Sequence, residues 1–356
     1  MKIAIDVSQM CYEGTGVARY VYGLTKALLL AGSKHEFLLY AGVFRRRAYF
    51  KALARTLPWS QASWRLLPLP PKVASLTLNL FPIRVEWLLG KVDVVHTSDW
   101  VEPSSKSPSV TTIHDLVFKQ YPETVDPLIL RAQTRRLAKI VADDSMIIAD
   151  SKSTKNDLMK IYNLNEARIK VIYPGIDSIY KPQSKKEIDR VKNTYNLPDQ
   201  YIFSLGTQEP RKNLPRLVEA VRGLDLPLVI AGRHGWGDHT QTLGFVPDAD
   251  LPALYSGAAV FAYPSLYEGF GFPVLEAMAC GTPVVTSNLS SLPEVAGDAG
   301  VLIDPTDVDS IRSGIKLAIK NRDSLIKKGL KQAKNFTWEK TAKQVLEVYE
   351  KTAHRN

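Results

Sequence analysis

The chain has 356 residues, 45% hydrophobic and 23% charged, an ordinary globular composition on a length too great for one hydrophobic core, so two domains are expected. No run approaches the ~18 apolar residues of a membrane span. Cys11 and Cys280 suit neither a metal cage nor a disulfide framework, and residues 1–7 read as a strand rather than a signal sequence, so the cytoplasm is the expected compartment. The net charge of +10 is uneven: residues 1–178 carry 24 Lys and Arg against 16 acids, and the remainder 22 against 20.

Apolar runs of strand length fall at residues 3–7, 36–40, 94–96, 110–114, 146–149 and 170–173, with helical patterns between them. The second half repeats the plan at 202–206, 228–231, 260–263, 283–286 and 300–303. Near-continuous runs such as Leu228-Val-Ile-Ala231 imply strands buried on both faces, hence parallel sheets covered by helices. The reading is α/β: two doubly wound, Rossmann-like domains. The joint follows Tyr173-Pro-Gly-Ile-Asp177, giving residues 1–177 and 178–336. A last helix, 337–356, is amphipathic and should dock.

The first loop carries Gly14-Thr-Gly16 ahead of a helix over 17–31. Arg19 stands where a dinucleotide fingerprint has its third glycine, and the second strand ends without an acid for a ribose, which argues against a nicotinamide enzyme. The glycines suit close approach of backbone to a phosphate or sugar; the alternative is a plain loop turn. Between Glu36 and Glu86 stand eight basic residues and no acid, which points the first half towards an anionic partner: a membrane surface, a nucleic acid or a phosphorylated acceptor. No nucleic-acid-binding module is present. Over 44–57, a helix would place Arg47, Lys51 and Arg55 on one face and Tyr49, Phe50, Leu53 and Leu57 opposite, with Arg46 intruding, the pattern of an interfacial helix on an anionic membrane. The alternative is a helix whose apolar face packs on its own sheet.

His114 and Asp115 end a strand and should reach the crevice at the sheet's carboxyl edge, although a lone His there is often a bonded core residue. After the strand at 202–206 comes Thr-Gln-Glu-Pro-Arg211-Lys212-Asn213, two cations just before a helix N-terminus, an arrangement suited to a diphosphate. Asp248-Ala-Asp250 and Asp307-Val-Asp309 invite a metal, but both precede helices and capping explains them better; no metal is assigned. The most specific stretch is Glu268-Gly-Phe-Gly-Phe-Pro273-Val-Leu-Glu276. Its glycines supply loop freedom, Pro273 fits a first helical turn, and a helix over 273–280 stops at Gly281. Backbone N–H groups of Phe270, Gly271 and Phe272 then form an anion cradle flanked by two carboxylates, which suits a sugar joined to a nucleoside diphosphate. The alternative makes Glu268 a solvated loop acid and Glu276 a dipole-favoured helix residue.

Residues 263–281, Gly206 to Asn213 and Thr112-Ile-His114-Asp-Leu116 together resemble glycosyltransferase family 4, retaining enzymes of the GT-B fold, and most nearly its mannosyltransferase-like group that builds bacterial surface polysaccharides. The resemblance covers nearly the whole chain and implies two domains facing a central cleft, with the last helix returning to the first domain. It implies that Glu268 binds hexose hydroxyls and Glu276 the ribose. Arg211 and Lys212 would neutralise the diphosphate with help from Phe270 to Phe272, Gly14 and Gly16, and His114 would contact the sugar. The leaving phosphate would deprotonate the acceptor on the same face, giving retention, and no cofactor or metal is required. The partners are a nucleotide-sugar donor, GDP-mannose first, and a glycan or polyprenyl-linked acceptor, which places the chain in the cytoplasm, peripheral on the inner face of the cell membrane. A catalytically silent GT-B partner subunit is the alternative. Two departures stand out: Thr207 replaces an Arg common after the glycine, and residues 232–241 offer only ten residues where a crossover helix is normal.

Overall fold

The computed structural model describes residues 1–12, 14–31, 34–68, 73, 78, 79, 81, 83–99, 101–232 and 242–354. The short 232–241 connection therefore lies, but for Gly232, outside the described residues. The chain divides into two units, Met1–Gly175 joined by the segment from Thr337 onward, and Ile176–Phe336.

The first unit is built on a seven-stranded parallel sheet of β1 (Lys2–Asp6), β2 (Glu36–Gly42), β3 (Ser63–Leu67), β4 (Val94–Ser98), β5 (Ser109–Ile113), β6 (Met146–Ala149) and β7 (Ile169–Val171). The strands lie side by side as β3-β2-β1-β4-β5-β6-β7. Order reverses between β1 and β4, so the crevice at their carboxyl ends is a topological switch point. Apolar residues cover both faces: Ile113, Ile147 and Ile169 pack against Leu137, Ile140 and Leu158 of the helices Pro127–Ala142 and Lys152–Tyr162, and Leu38 and Val95 pack against Val85 and Leu89.

Strand β3 was not expected. Its residues Ser-Trp-Arg-Leu-Leu are nowhere fully buried, as an edge position allows, and only pairing with β2 makes them a strand. The helix expected over 44–57 runs only from Arg47 to Leu53. Its apolar side is already occupied: Phe50 is wholly buried and packs tilted against Trp64, with ring centroids 6.1 Å apart. The helix is thus shorter than expected, with Phe50 buried and Tyr49 and Leu53 half-buried. Arg45, Arg46, Lys51 and Arg55 stay exposed, as do Phe44 and Leu57 at its two ends.

The last helix, Trp338–Ala353, belongs to the first unit. The Trp338 ring lies against Gly23, where a Cβ would overlap it, and meets Tyr20 edge-on at 5.9 Å. Thr341 Oγ1 donates to the Tyr173 carbonyl (2.8 Å). One turn from its end, the Tyr349 hydroxyl meets His96 Nδ1 at 2.5 Å, while His96 Nε2 lies 2.9 Å from Thr112 Oγ1. Burial among these neutral groups pushes His96 down to about 3, so the ring is uncharged.

The second unit holds a five-stranded parallel sheet: β8 (Ile202–Leu205), β9 (Leu228–Ala231), β10 (Val260–Tyr263), β11 (Val284–Ser287) and β12 (Gly300–Ile303), ordered β12-β11-β10-β8-β9. Leu214 and Leu217 from one helix and Ile311 and Ile315 from another close its core on Ile202, Ile230 and Val285. Here the order reverses between β8 and β10, which pair directly. The two Asp-x-Asp strings divide. Asp307 caps its helix by accepting from the Asp309 N–H at 2.9 Å. Asp250 makes no side-chain cap; it accepts instead from Arg190 (2.7 Å) and Tyr195 (2.8 Å), partners that offer a full charge and a second hydrogen bond where a cap offers one N–H.

Tyr349→Phe should leave the buried neutral His96 without its Nδ1 partner and cost about 1–3 kcal/mol, read as a lower urea midpoint with an unchanged slope. A midpoint equal to wild type would show that the bond does not hold this helix.

Candidate functional site

Strands β8 and β10 carry the two motifs of the second unit at their carboxyl ends, at the reversal in strand order where α/β sheets bind ligands. Beyond β8 the chain makes a short 3-10 turn, Pro210–Lys212, and enters the helix Leu214–Val221 through Asn213, which has a positive φ of 59°. Asn213 is pinned there by its own amide, which donates to the carbonyls of Pro264 (3.1 Å) and Pro305 (2.6 Å). The turn thus lies against the chain leaving β10, and the Arg211 carbonyl accepts from Leu266 N at 2.8 Å.

Glu268 stands at the centre. Its Oε1 accepts from Lys212 Nζ (2.6 Å), Ser265 Oγ (2.6 Å) and the Tyr263 hydroxyl (2.8 Å), and its Oε2 lies 3.0 Å from Arg211 Nη1. The carboxylate is buried, so the solvated loop acid is excluded. Burial alone would raise its pKa, but the Lys212 ammonium and Arg211 guanidinium outweigh it and hold the group down at about 2. Lys212 is pulled down by burial and by Arg211, with Glu268 acting against both. Its ammonium also donates to Tyr263 OH (2.6 Å) and lies 5.0 Å from that ring's centroid. Arg211 is further fixed by Glu209 (2.8 Å) and the Tyr267 carbonyl (3.2 Å). Two basic side chains thus share one central carboxylate that is held in its charged form.

The loop after Glu268 is held by its rings and by two serines. Phe270 is buried edge-on against Phe272 (5.2 Å) and Phe336 (5.7 Å). Ser291 Oγ bridges the carbonyls of Glu268 (2.9 Å) and Phe270 (2.8 Å), and Ser290 Oγ accepts from Glu268 N (3.0 Å). Gly271 has a φ of 105°, and a Cβ there would come within 2.7 Å of Leu292 Cδ2, so only glycine turns the chain into the helix Phe272–Ala279. In the first turn of that helix Pro273 brings no N–H, and Val274 N donates to the Gly271 carbonyl at 3.1 Å. Glu276 sits inside the same helix, buried, and accepts from the Tyr255 hydroxyl at 2.8 Å. Lys212, Tyr263 and Ser265 thus hold Glu268, while the Tyr255 hydroxyl, from another element, meets Glu276.

In the first unit His114 follows β5, with Nδ1 2.6 Å from Asp150 Oδ2 and Nε2 3.0 Å from Ser98 Oγ. Burial would lower its pKa; the Asp150 carboxylate reverses this and raises it. Gly14 and Gly16 flank Thr15 in an exposed turn, where Thr15 Oγ1 caps the helix Gly16–Leu30 by accepting from Ala18 N (3.2 Å). Sequence reasoning missed Tyr263, Ser265, Ser290 and Ser291 in one unit and Ser98 and Asp150 in the other. Only the Tyr-Pro-Ser run before Glu268 and the Ser-Ser-Leu-Pro helix start carried a local signal. Among the described residues no group of three His, Cys, Asp or Glu could hold a metal ion, and no helix is long and apolar enough to cross a membrane.

Because the folded Glu268 carboxyl titrates at about 2, below the ordinary 4.5, its stabilisation is complete above pH 4.5 and is lost as pH falls towards 2. Glu268→Gln, which takes from Lys212 its carboxylate partner and leaves Arg211 with Glu209, should cost about 3 kcal/mol at neutral pH. The gap between variant and wild type should narrow as pH drops from 4.5 to 2 in denaturant titrations; a gap independent of pH would contradict the charged cluster.

Residues 14–178 match the family description Glycosyltransferase Family 4, and residues 185–344 match Glycosyl transferases group 1. The chain is 33% identical to the O-antigen chain mannosyltransferase B of Escherichia coli, over 98% of this chain and 99% of that protein. It is 31% identical to the serotype-specific mannosyltransferase WbdA of Escherichia coli over 68% of this chain, a match spanning 33% of WbdA. Among solved structures, sucrose-phosphate synthase from Thermosynechococcus elongatus superposes with a TM-score of 0.74 at 20% identity, covering 99% of this chain and 98% of that one. HepE of Anabaena, solved in complex with UDP and glucose, gives 0.73 at 17% identity over 99% and 100%. These likenesses show the GT-B fold, and the full-length relative shows the family: the chain belongs to glycosyltransferase family 4, in its mannosyltransferase-like group of bacterial polysaccharide biosynthesis.

Proposed function

We propose that this glycosyltransferase is a retaining enzyme that moves mannose from GDP-mannose to a glycan or polyprenyl-linked acceptor, without a divalent metal. The observation that carries the reading is the Arg211–Lys212–Glu268 cluster at the β8/β10 switch point. Cleavage of a nucleotide-sugar leaves negative charge on the departing phosphate and positive character on the sugar ring. Arg211, Lys212 and the backbone N–H groups of Phe270 to Phe272 are donors for the first; Glu268 is a carboxylate for the hydroxyls of the second. In the ligand-free chain these groups satisfy one another. An incoming diphosphate competes with Glu268 for the two cations, and each exchange frees a carboxylate oxygen to accept from the sugar. The two cations then supply the compensating charge that a metal ion would otherwise provide. Glu276 takes the ribose, and His114 with the Gly14–Gly16 turn is the first unit's contribution. The mannose assignment rests on the names of the full-length relative and of WbdA.

Transfer from GDP-mannose should persist in excess EDTA; activity abolished by EDTA and restored by manganese would overturn the metal-free reading. Lys212→Ala should lower kcat by about 100-fold, whereas Glu276→Ala should chiefly weaken binding of the nucleoside diphosphate, seen as a smaller thermal shift.

The same proposal places the protein peripherally on the inner face of the cell membrane through the basic side of residues 44–57. Support comes from exposed Arg45, Arg46, Lys51 and Arg55 with Phe44 and Leu57 beside them. Each cation near an anionic surface contributes roughly 1 kcal/mol, enough together for reversible docking. Co-sedimentation with vesicles should require anionic lipid, weaken with salt and be lost in Arg46→Glu/Lys51→Glu/Arg55→Glu; binding indifferent to all three would favour a soluble acceptor.

A further inference from the structure

Four neighbouring strands of the first sheet each end on an aspartate. Asp6 closes β1, Asp99 follows Ser98 at the end of β4, Asp115 follows His114 beyond β5, and Asp150 follows Ala149 at the end of β6. The strands lie in the order β1-β4-β5-β6, so a row of carboxylates crosses the switch point with His114 inside it. Of the four, Asp150 touches the imidazole: its Oδ2 lies 2.6 Å from Nδ1. The other nitrogen, Nε2, lies 3.0 Å from Ser98 Oγ, and the Tyr20 ring packs edge-on at 4.7 Å and 75°. Asp150 is buried at 2% exposure, and its second oxygen, Oδ1, has no hydrogen-bond partner among the described residues. Its negative charge is therefore directed at His114 and at no other donor.

A second histidine on the adjacent strand supplies an internal control. His96 is the more deeply enclosed, at 3% exposure; both its nitrogens face hydroxyls, those of Tyr349 and Thr112, and burial drives it neutral. His114 differs in having a carboxylate at Nδ1. Two imidazoles one strand apart are thus pushed in opposite directions: burial, with the charges of His114 and Arg136, lowers His96, while the Asp150 carboxylate raises His114 against burial.

We propose that Asp150 is a positioning residue for His114: it fixes the proton on Nδ1, orients the ring so that Nε2 is the working nitrogen, and favours the imidazolium. This rests on the reading that His114 serves the transferred sugar. In the neutral ring Nδ1–H donates to Asp150 and Nε2 accepts from the Ser98 hydroxyl. When Nε2 takes up a proton it becomes the donor, the bond to Ser98 reverses, and the serine's own proton is released to point elsewhere. The imidazole thus switches what Ser98 offers, without any covalent change.

The groups that set the charge are Asp150 after β6, Asp99 and His96 on β4, Asp115 beside it, Tyr20 from the helix Gly16–Leu30 and Arg136 from the helix Pro127–Ala142. The three carboxylates favour the imidazolium; Arg136 lies close enough to lower His96 and Asp99 and opposes them.

The test is two-bond 1H–15N correlation on the full chain labelled with 15N-histidine. His114 should show the Nδ1–H tautomer in its neutral form and titrate above the ordinary 6.5. Asp150→Asn should lower that midpoint by about one pH unit or more and move the alkaline limb of kcat/KM by the same amount. A wild-type His114 protonated at Nε2 when neutral, or a midpoint unmoved in Asp150→Asn, would overturn the proposal. The wild-type tautomer decides alone should the variant fail to fold. A titration that moves while the pH–rate profile does not would leave the pairing standing and remove His114 from the reaction.

Discussion

Everything in the second unit's crevice is arranged around one buried carboxylate that keeps its charge down to a pH of about 2. Taking Glu268 out of water would cost several kcal/mol uncompensated, and the cost is offset by two cations and two hydroxyls from four different positions. The positive φ at Asn213, the glycine at 271 and the pair of serines at 290 and 291 are the backbone conditions that bring those positions together. A buried ion cluster of this kind contributes little net stability. Its value is that every charge is already oriented, so a ligand that exchanges for one member meets donors requiring no reorganisation.

The two sheets treat their carboxyl edges differently. In the second unit cations dominate the edge, with Arg211 and Lys212 gathered on one acid. In the first unit acids dominate it, with Asp6, Asp99, Asp115 and Asp150 in a row, although that unit carries most of the chain's positive charge. The basic residues there lie away from the edge, as at residues 44–57. Burial raises Asp6 to about 6, and it also raises Asp99 and Asp150. Arg136, buried and 2.6 Å from Thr111 Oγ1, stands among them.

Most of the fold was legible because buried parallel strands announce themselves as short apolar runs, and β6, β9, β10 and β12 fall where those runs lie. What escaped has a common physical cause. β3 is half-exposed, and its identity comes from a partner strand rather than its own pattern. Asp250 looks like a cap locally and is claimed by Arg190, 60 residues away. Of the site, the residue types and their loops were readable from glycines, a proline and charge. The pairings were not, since Lys212 reaches Glu268 across 56 positions and His114 reaches Asp150 across 36. At 44–57 the periodicity was real but the helix spans only Arg47–Leu53, and periodicity cannot say whether an apolar face meets lipid or its own core.

The last helix has a bearing on how the chain is made. Trp338, Thr341 and Tyr349 complete the first unit, yet they are synthesised after the whole of Ile176–Phe336. While the second unit emerges and folds as a continuous stretch, the first has all seven strands but still exposes the seat of Trp338 at Gly23 and the unpaired Nδ1 of His96. Domains generally fold in the order in which they leave the ribosome; here the earlier one must wait for the later. Its closing contacts span 168 residues for Thr341 and 253 for Tyr349, separations that slow the final step. Nascent chains halted anywhere before Trp338 would share one incomplete unit, whatever the state of the other.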